Sequence, residues 1–347
     1  MASSHRSEMW ESVCSDTSAD RHSASPYEPR HSSSTHSGLS QASEREPTGF
    51  TVADALSVDE FGRQFNAYRE GKYLLPNDGD EQDRLGTESR YTMSQMVVEL
   101  VFGARLTGSD IGTGTGIWAK QFAREHPRSN VIGTDLSLIQ PDDNNPPNLV
   151  FEREDSEEAW IFGFPFDYIH WRLMCTCFND IKSMITRVFE HLVPGGWAEF
   201  QDAEFEVVGE NSAATAYLYN SPYYRWFRAM VAGGASFGRD FRVANKYKSW
   251  MMEAGFVNVV EKVVFVPVNG WPVDQKDQLL GKWHSLDVLR FLDGSKKILQ
   301  AAGYSLDQIP GFLEEVRDSS LDARLRCYVP HYIVYGQRPE VPIIGGA

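Results

Sequence analysis

The sequence predicts an α/β protein with a Rossmann-like, mostly parallel sheet, and three observations support that prediction. Segments of strand length and helix length alternate between residues 117 and 200. A glycine-rich turn precedes the first helix of this series, at Ile117. A carboxylate, Asp135, ends the next apolar run, nineteen positions after Gly116. Together these features predict a nucleoside-containing cofactor at the edge of the sheet.

Each residue type in the turn suits that role. The run DIGTGTG extends from Asp110 to Gly116, and its three glycines lie at Gly112, Gly114 and Gly116. Glycine has no Cβ, so the backbone can adopt positive φ and approach a ligand closely. The helix that follows offers free N–H groups at its N-terminus. Asp135 then provides a carboxylate that can accept both hydroxyls of a ribose.

The cofactor class follows from the charge beside the turn. A dinucleotide fingerprint fits Gly114, Gly116 and Ala119, whereas the same fingerprint read from Gly112 fails. Asp110 would repel a pyrophosphate but would suit the cationic aminoacyl end of S-adenosylmethionine. We therefore favour S-adenosylmethionine over a dinucleotide and over an ordinary glycine turn.

Composition limits the alternatives. The chain has 347 residues, of which 41% are hydrophobic and 23% charged, so it can bury a full core. A net charge of -15 argues against a nucleic-acid or anionic-lipid partner. No apolar run of about 18 residues or secretory leader is expected, which predicts an intracellular protein, cytoplasmic or nuclear. The four cysteines, Cys14, Cys175, Cys177 and Cys327, indicate neither disulfides nor a metal site.

Residues 1–48 are rich in Ser, His, Glu, Arg and Thr and nearly lack aliphatic residues, so we expect a disordered tail. One domain is expected over residues 49–340. Residues 59–102 are expected to be helical apart from a break at Leu74–Gly79. The predicted first strand, Arg105–Ser109, is weak because it contains a glycine and two hydroxyl residues.

Three segments resemble the Rossmann-like S-adenosylmethionine-dependent methyltransferases. The turn from Asp110 to Gly116 resembles their motif I, and Leu192–Trp197 (LVPGGW) resembles the segment before their fifth strand. The stretch from Tyr68 to Arg84 resembles the lead-in of fungal methyltransferases of the LaeA type. The resemblance implies a seven-stranded sheet with its last strand reversed, a helical N-terminal cap and a C-terminal helical insertion. It divides the domain into cap helices 59–102, core 103–205, a substrate or lid region 206–325 and a closing strand 326–338.

The resemblance also implies roles for individual residues. Asp110 and the three glycines would hold the aminoacyl end, Asp135 the ribose, and Asp155 with Ser156 the adenine. Acceptor candidates are Tyr73 in the cap, three residues at the end of the strand that begins at Phe166, and two aromatic residues beyond residue 206: His170, Trp171, Arg172, Tyr224 and Trp283. Packing in the core is the alternative for His170 and for the aromatic residues.

Two functions remain open from the sequence. The first is a methyltransferase that acts on a small-molecule acceptor in fungal secondary metabolism, or on a protein side chain. The second is a regulator of the LaeA type, which works through protein partners with weak or no turnover. We name no catalytic residue, because methyl transfer from a sulfonium depends mainly on positioning. Compared with the resembled family, the first strand and its loop are shortened, which favours a damaged or non-catalytic protein.

Overall fold

The computed structural model describes residues 57–69, 71–92, 106–141 and 144–340. The predicted disordered tail, 1–48, lies outside the described residues, as do residues 93–102 of the predicted cap. The strands are β1 Ser57–Glu60, β2 Arg63–Asn66, β3 Thr107–Ile111, β4 Asn130–Asp135, β5 Leu149–Arg153, β6 Phe166–Arg172, β7 Leu192–Ala203, β8 Val208–Gly209, β9 Val257–Pro267 and β10 Cys327–Gln337. The helices are α1 Gly79–Thr92, α2 Ile117–Glu125, α3 Ile181–His191, α4 Ser212–Tyr219, α5 Pro222–Ser236, α6 Tyr247–Ala254, α7 Gln275–Gly294, α8 Lys296–Ala301 and α9 Gln308–Leu321.

The main sheet has the predicted architecture. Its order is β5-β4-β3-β6-β7-β10, with β9 paired to the far side of β10. The strands from β5 to β7 are parallel, and β10 runs antiparallel to both β7 and β9. The two-residue strand β8 also pairs with β10, which adds an eighth strand to the predicted seven. The strand order reverses between β3 and β6, where ligands bind in open α/β sheets.

The weak first strand forms nevertheless. β3 pairs in register with β4 on one side and β6 on the other, and four of its five residues are buried. One side chain adds a hydrogen bond at the start of the strand: the Thr107 amide donates to Asp167 Oδ2 at 2.7 Å. Gly108 leaves room for the Phe122 ring of α2 to pack on the strand. Pairing on both edges therefore overrides the low strand propensity of this segment.

The expected helix over residues 59–66 was wrong. This segment is a hairpin in which β1 and β2 pair from Ser57↔Asn66 to Glu60↔Arg63. Phe61 and Gly62 both have positive φ, which is the geometry of a tight two-residue hairpin turn and breaks a helix. Phe65 is buried, so one face of the hairpin packs on the domain.

The C-terminal insertion is helical, as expected. Two of its helices, α7 and α8, are separated at Ser295. The Ser295 hydroxyl donates to Leu292 O at 2.6 Å and accepts from Trp226 Nε1 at 3.2 Å. This buried serine thus ties the break to α5. Helices α5, α7, α8 and α9 enclose a core of their own beside the sheet.

Candidate cofactor and acceptor site

A large cavity opens at the carboxyl ends of β3, β4 and β6, where the strand order reverses. Its wall includes the glycine turn, the segment 72–77, α1 and α7. At the other end it extends to Trp226 and Phe227 of α5 and to His331 of β10. One enclosed space therefore connects the predicted cofactor end with the helical insertion.

The glycine turn requires glycine at two positions. Gly112 and Gly116 have φ values of +64° and +75°, in the left-handed region. A Cβ on Gly112 would lie 2.6 Å from Met174 Cε, and one on Gly116 would lie 2.7 Å from Phe151 Cε1. Gly116 also provides the residue before α2, so the helix begins directly behind the turn. The close packing beneath the turn and the open cavity above it therefore both depend on glycine, which has no side chain, at positions 112 and 116.

Asp135 holds this turn in place. Its Oδ2 accepts from the Gly114 amide and its Oδ1 from the Ser137 amide, each at 2.9 Å. Burial raises the pKa of the Asp135 carboxyl to about 6, with nearby Asp110 adding to the rise while the two amide hydrogen bonds oppose it. A carboxylate bonded to the turn and lining the cavity has lone pairs left for ligand hydroxyls.

The raised pKa of Asp135 makes its contribution to stability pH-dependent. In the unfolded chain the group ionises near 3.8, so between pH 4 and pH 6 the folded state binds more protons than the unfolded state. Stability from this group should therefore fall as pH rises. Relative to Asp135→Asn, the wild type should lose about 1–3 kcal/mol of unfolding free energy between pH 4.5 and pH 7. Urea denaturation of both proteins at the two pH values measures this; an unchanged difference would contradict it.

Asp110 is already engaged within the protein. It is 3% exposed, its Oδ1 lies 2.8 Å from His170 Nδ1, and its Oδ2 accepts from the Thr113 hydroxyl at 2.6 Å. His170 in turn stacks on Trp118 with ring centroids 3.9 Å apart. The pair lines the cavity but also fixes the turn, so any ligand ammonium has to share this carboxylate.

Asp155 is covered by the N-terminal segment. Lys72 Nζ forms an ion pair with Asp155 and a second with Glu157 at 3.2 Å. The carbonyl of Lys72 accepts a hydrogen bond from Arg239, whose guanidinium also donates to Thr176 O at 2.7 Å. Ser156 is buried beside Asp155 and lines the same cavity. The predicted adenine contacts are therefore at the cavity but lie beneath a lysine.

Of the six predicted acceptor residues, the structure brings three to the cavity: Tyr73, His170 and Arg172. Burial raises the pKa of Tyr73 well above its usual value, which keeps the phenol neutral.

Trp171, Tyr224 and Trp283 do not line the cavity, which corrects their assignment. Successive side chains of a strand point to opposite faces, so Trp171 faces away from His170 and stacks on Phe200 at 3.7 Å between centroids. Tyr224 packs against Tyr219 at 4.8 Å between centroids, on a different side of α5 from Trp226. Trp283 is half-buried elsewhere on α7, and its neighbour His284 lines the cavity instead.

Sequence reasoning missed a buried charged cluster in the cavity wall. Arg84 donates to Glu81 Oε1 at 2.7 and 2.9 Å and to Asp287 Oδ1 at 3.0 Å. These three side chains are 2–6% exposed, and they join α1 to α7 across the cavity. The Glu81–Arg84 spacing of three residues is a local signal for an ion pair on a helix. Nothing in the sequence signals Asp287, which is 203 positions from Arg84.

The residues present fit a nucleoside cofactor. The turn at Gly112–Gly116 presents backbone without side chains, and Asp135 stands at the end of β4 where a ribose would lie. No group of three or more His, Cys, Asp or Glu in the described part of the chain is arranged to hold a metal ion. The parallel sheet that ends in a reversed hairpin places this protein among the Rossmann-like S-adenosylmethionine-dependent methyltransferases.

Comparison with known proteins supports the assignment to the methyltransferases. Residues 90–261, about half of the chain, match the family model described as "Methyltransferase domain". The chain is 29% identical to the probable methyltransferase tdiE of Emericella nidulans over 84% of this chain and 93% of that protein. It is 28% identical to the secondary metabolism regulator laeA of Aspergillus flavus over 89% of this chain and 82% of that protein. The chain therefore contains a methyltransferase domain and is related to fungal proteins that include methyltransferases and regulators of the LaeA type.

A solved structure gives a weaker likeness. Phosphoethanolamine N-methyltransferase 2 of Haemonchus contortus, in complex with S-adenosyl-L-methionine, matches with a TM-score of 0.41 and 16% identity. The match covers 79% of this chain and 55% of that one, so this chain spans about half of the length of that protein. In the described part of this chain, no helix has the length and hydropathy needed to cross a membrane.

Proposed function

We propose that this protein transfers a methyl group from S-adenosylmethionine to a small-molecule acceptor in fungal secondary metabolism. The observation that carries the proposal is the continuous cavity that joins Asp135 to Trp226 and His331. A cofactor at the first end and an acceptor at the second would meet inside one enclosed space. The relatives include a probable methyltransferase and secondary metabolism regulators, which supports methyl transfer in secondary metabolism.

The cofactor end has a residue for each part of the nucleoside. We assign the aminoacyl end to Asp110 and the backbone of the glycine turn, and the ribose hydroxyls to Asp135. Asp155 and Ser156 would contact the adenine, because an exocyclic amine donates and a carboxylate accepts. Lys72 must then move away from Asp155, since it occupies that carboxylate.

The cofactor supplies the electrophilic methyl group, and the protein's own residues position the reactants. Holding two reactants in the correct geometry lowers a barrier by up to about 7–11 kcal/mol. Helices α1 and α7, joined by Arg84, cover the cavity and exclude water from the reacting atoms. The neutral phenol of Tyr73 also lines the cavity.

Asp135→Ala tests the assignment. We expect S-adenosylmethionine to bind about 1–3 kcal/mol more weakly, because the ribose contacts and the support of the Gly114 amide are lost. Isothermal titration calorimetry with S-adenosylmethionine and S-adenosylhomocysteine measures this affinity. Asp318→Ala, which removes an exposed carboxylate from α9, is the matched control and should bind as the wild type does. Equal affinity in both variants would count against the proposal.

A regulator with weak turnover is the second candidate. Two of the predicted cofactor carboxylates, Asp110 and Asp155, are already bonded to His170 and Lys72, which favours a modest cofactor affinity. In that case the protein would act through regulatory protein partners. Turnover of S-adenosylmethionine with a small-molecule extract, compared with binding alone, separates the two candidates. The intracellular location stays a prediction.

A further inference from the structure

The acceptor end of the cavity contains two histidines from distant parts of the chain. His284 comes from α7 and His331 from β10, and their rings meet edge to face with centroids 6.2 Å apart. Trp226 of α5 and Val329 of β10 complete this part of the wall. An acceptor at this end presupposes the proposed function, because it would occupy the same cavity as the cofactor.

The Nε2 atom of His331 is buried and forms no hydrogen bond within the described part of the chain that would stabilise the fold. Among the described residues, no protein group lies within hydrogen-bonding distance of its Nε2, and that atom is buried. The strand does not need the imidazole, because the backbone of His331 pairs with Ala203 on one side and Val264 on the other. A buried polar group without a partner lowers stability, so its presence at a cavity wall points to a ligand.

The ring of His331 is in the right form to accept a hydrogen bond. Burial lowers its pKa to about 4, so the imidazole is neutral at pH 7 and has one nitrogen with a free lone pair.

The surrounding charges indicate an uncharged acceptor. The nearby carboxylates Glu81 and Asp287 both bond to Arg84, so they already have a cation. Burial lowers the pKa of His284 to about 3, which leaves this second imidazole neutral as well. Aromatic side chains, including Trp226 and Phe227, provide flat apolar surface. Glu204, a third carboxylate of the cavity wall, accepts from the Asn245 amide at 3.2 Å, and burial raises its pKa to about 7, which favours its neutral form. A hydroxyl at this wall would find a neutral imidazole.

We propose that His331 accepts a hydrogen bond, and then the proton, from a hydroxyl group on a flat, uncharged methyl acceptor. As the oxygen gains the methyl group, the electron pair of its O–H bond remains on oxygen and the proton passes to a ring nitrogen of His331. The sulfur that releases the methyl group keeps the electron pair of the broken C–S bond and becomes a neutral thioether. The imidazolium then returns its proton to water.

The test compares 2-naphthol, which can donate a hydrogen bond, with its methyl ether 2-methoxynaphthalene, which cannot. Their affinities are measured by fluorescence quenching on the full chain, with and without S-adenosylmethionine. The wild type should bind 2-naphthol about tenfold more tightly, which is the effect of one good hydrogen bond. In His331→Phe this preference should fall below about twofold. Tyr332→Phe, which removes a polar atom from the other face of β10, should keep the preference.

Two results would overturn the proposal: no preference in the wild type, or a preference retained in His331→Phe. If His331→Phe fails to fold, ring-nitrogen NMR of the wild type replaces it, and 2-naphthol must shift one of the nine histidines where 2-methoxynaphthalene shifts none. No such shift would also overturn the proposal. Failure of S-adenosylmethionine to bind would instead contradict the proposed function, because the probe comparison without cofactor still decides the role of His331.

Discussion

Replacing Arg84 with methionine is expected to lower the free energy of unfolding by about 3–5 kcal/mol. Methionine keeps most of the side-chain volume but removes the guanidinium, which leaves Glu81 and Asp287 buried without the cation that they share. Two like charges would then face each other between α1 and α7. Removal of one partner from a buried ion pair costs this much because a buried charge loses its compensation.

Urea denaturation at pH 7 measures the change. Arg225→Met is the matched control, because Arg225 forms a comparably short ion pair with Glu315 at 2.6 Å, but both side chains are more than half exposed. Exposed pairs contribute about 0–1 kcal/mol, so the control should differ little from the wild type. Similar losses in both variants would show that the Arg84 cluster contributes no more than a surface pair.

Gly116→Ala is expected to destabilise the protein by about 2–5 kcal/mol and to weaken S-adenosylmethionine binding at least about tenfold. Two costs combine at this position. The backbone has a φ of +75°, which an L-residue adopts at a cost of about 1–2 kcal/mol. The new Cβ would also overlap the Phe151 ring, and that ring cannot withdraw freely because it packs on Gly133 as well.

Gly238→Ala separates the two costs. Gly238 has nearly the same φ, +76°, but nothing lies within 4 Å of the position of its Cβ. This control should lose only the backbone term of about 1–2 kcal/mol and should bind the cofactor normally. Thermal unfolding and calorimetry on both variants give the comparison. Equal destabilisation would mean that Phe151 adapts without cost, and unchanged cofactor affinity in Gly116→Ala would remove the turn from the binding site.

The sequence by itself determined the sheet and the glycine turn at its edge. The turn from Asp110 to Gly116, the start of α2 at Ile117 and the carboxylate at Asp135 are close together in the chain, and local backbone preferences position them. Hydrophobic periodicity is also local, and the helix expected after the glycine turn begins at Ile117, as observed.

Only the tertiary structure decided the acceptor end and the state of the weak strand. β3 forms because β4 and β6 pair with its two edges, a condition that its own residues do not encode. Lys72 reaches Asp155 across 83 positions and Arg84 reaches Asp287 across 203. His331 becomes a cavity residue because β10 pairs between β7 and β9 while α7 packs nearby. Such contacts depend on how elements pack, and packing brings together residues whose sequence separation carries no signal.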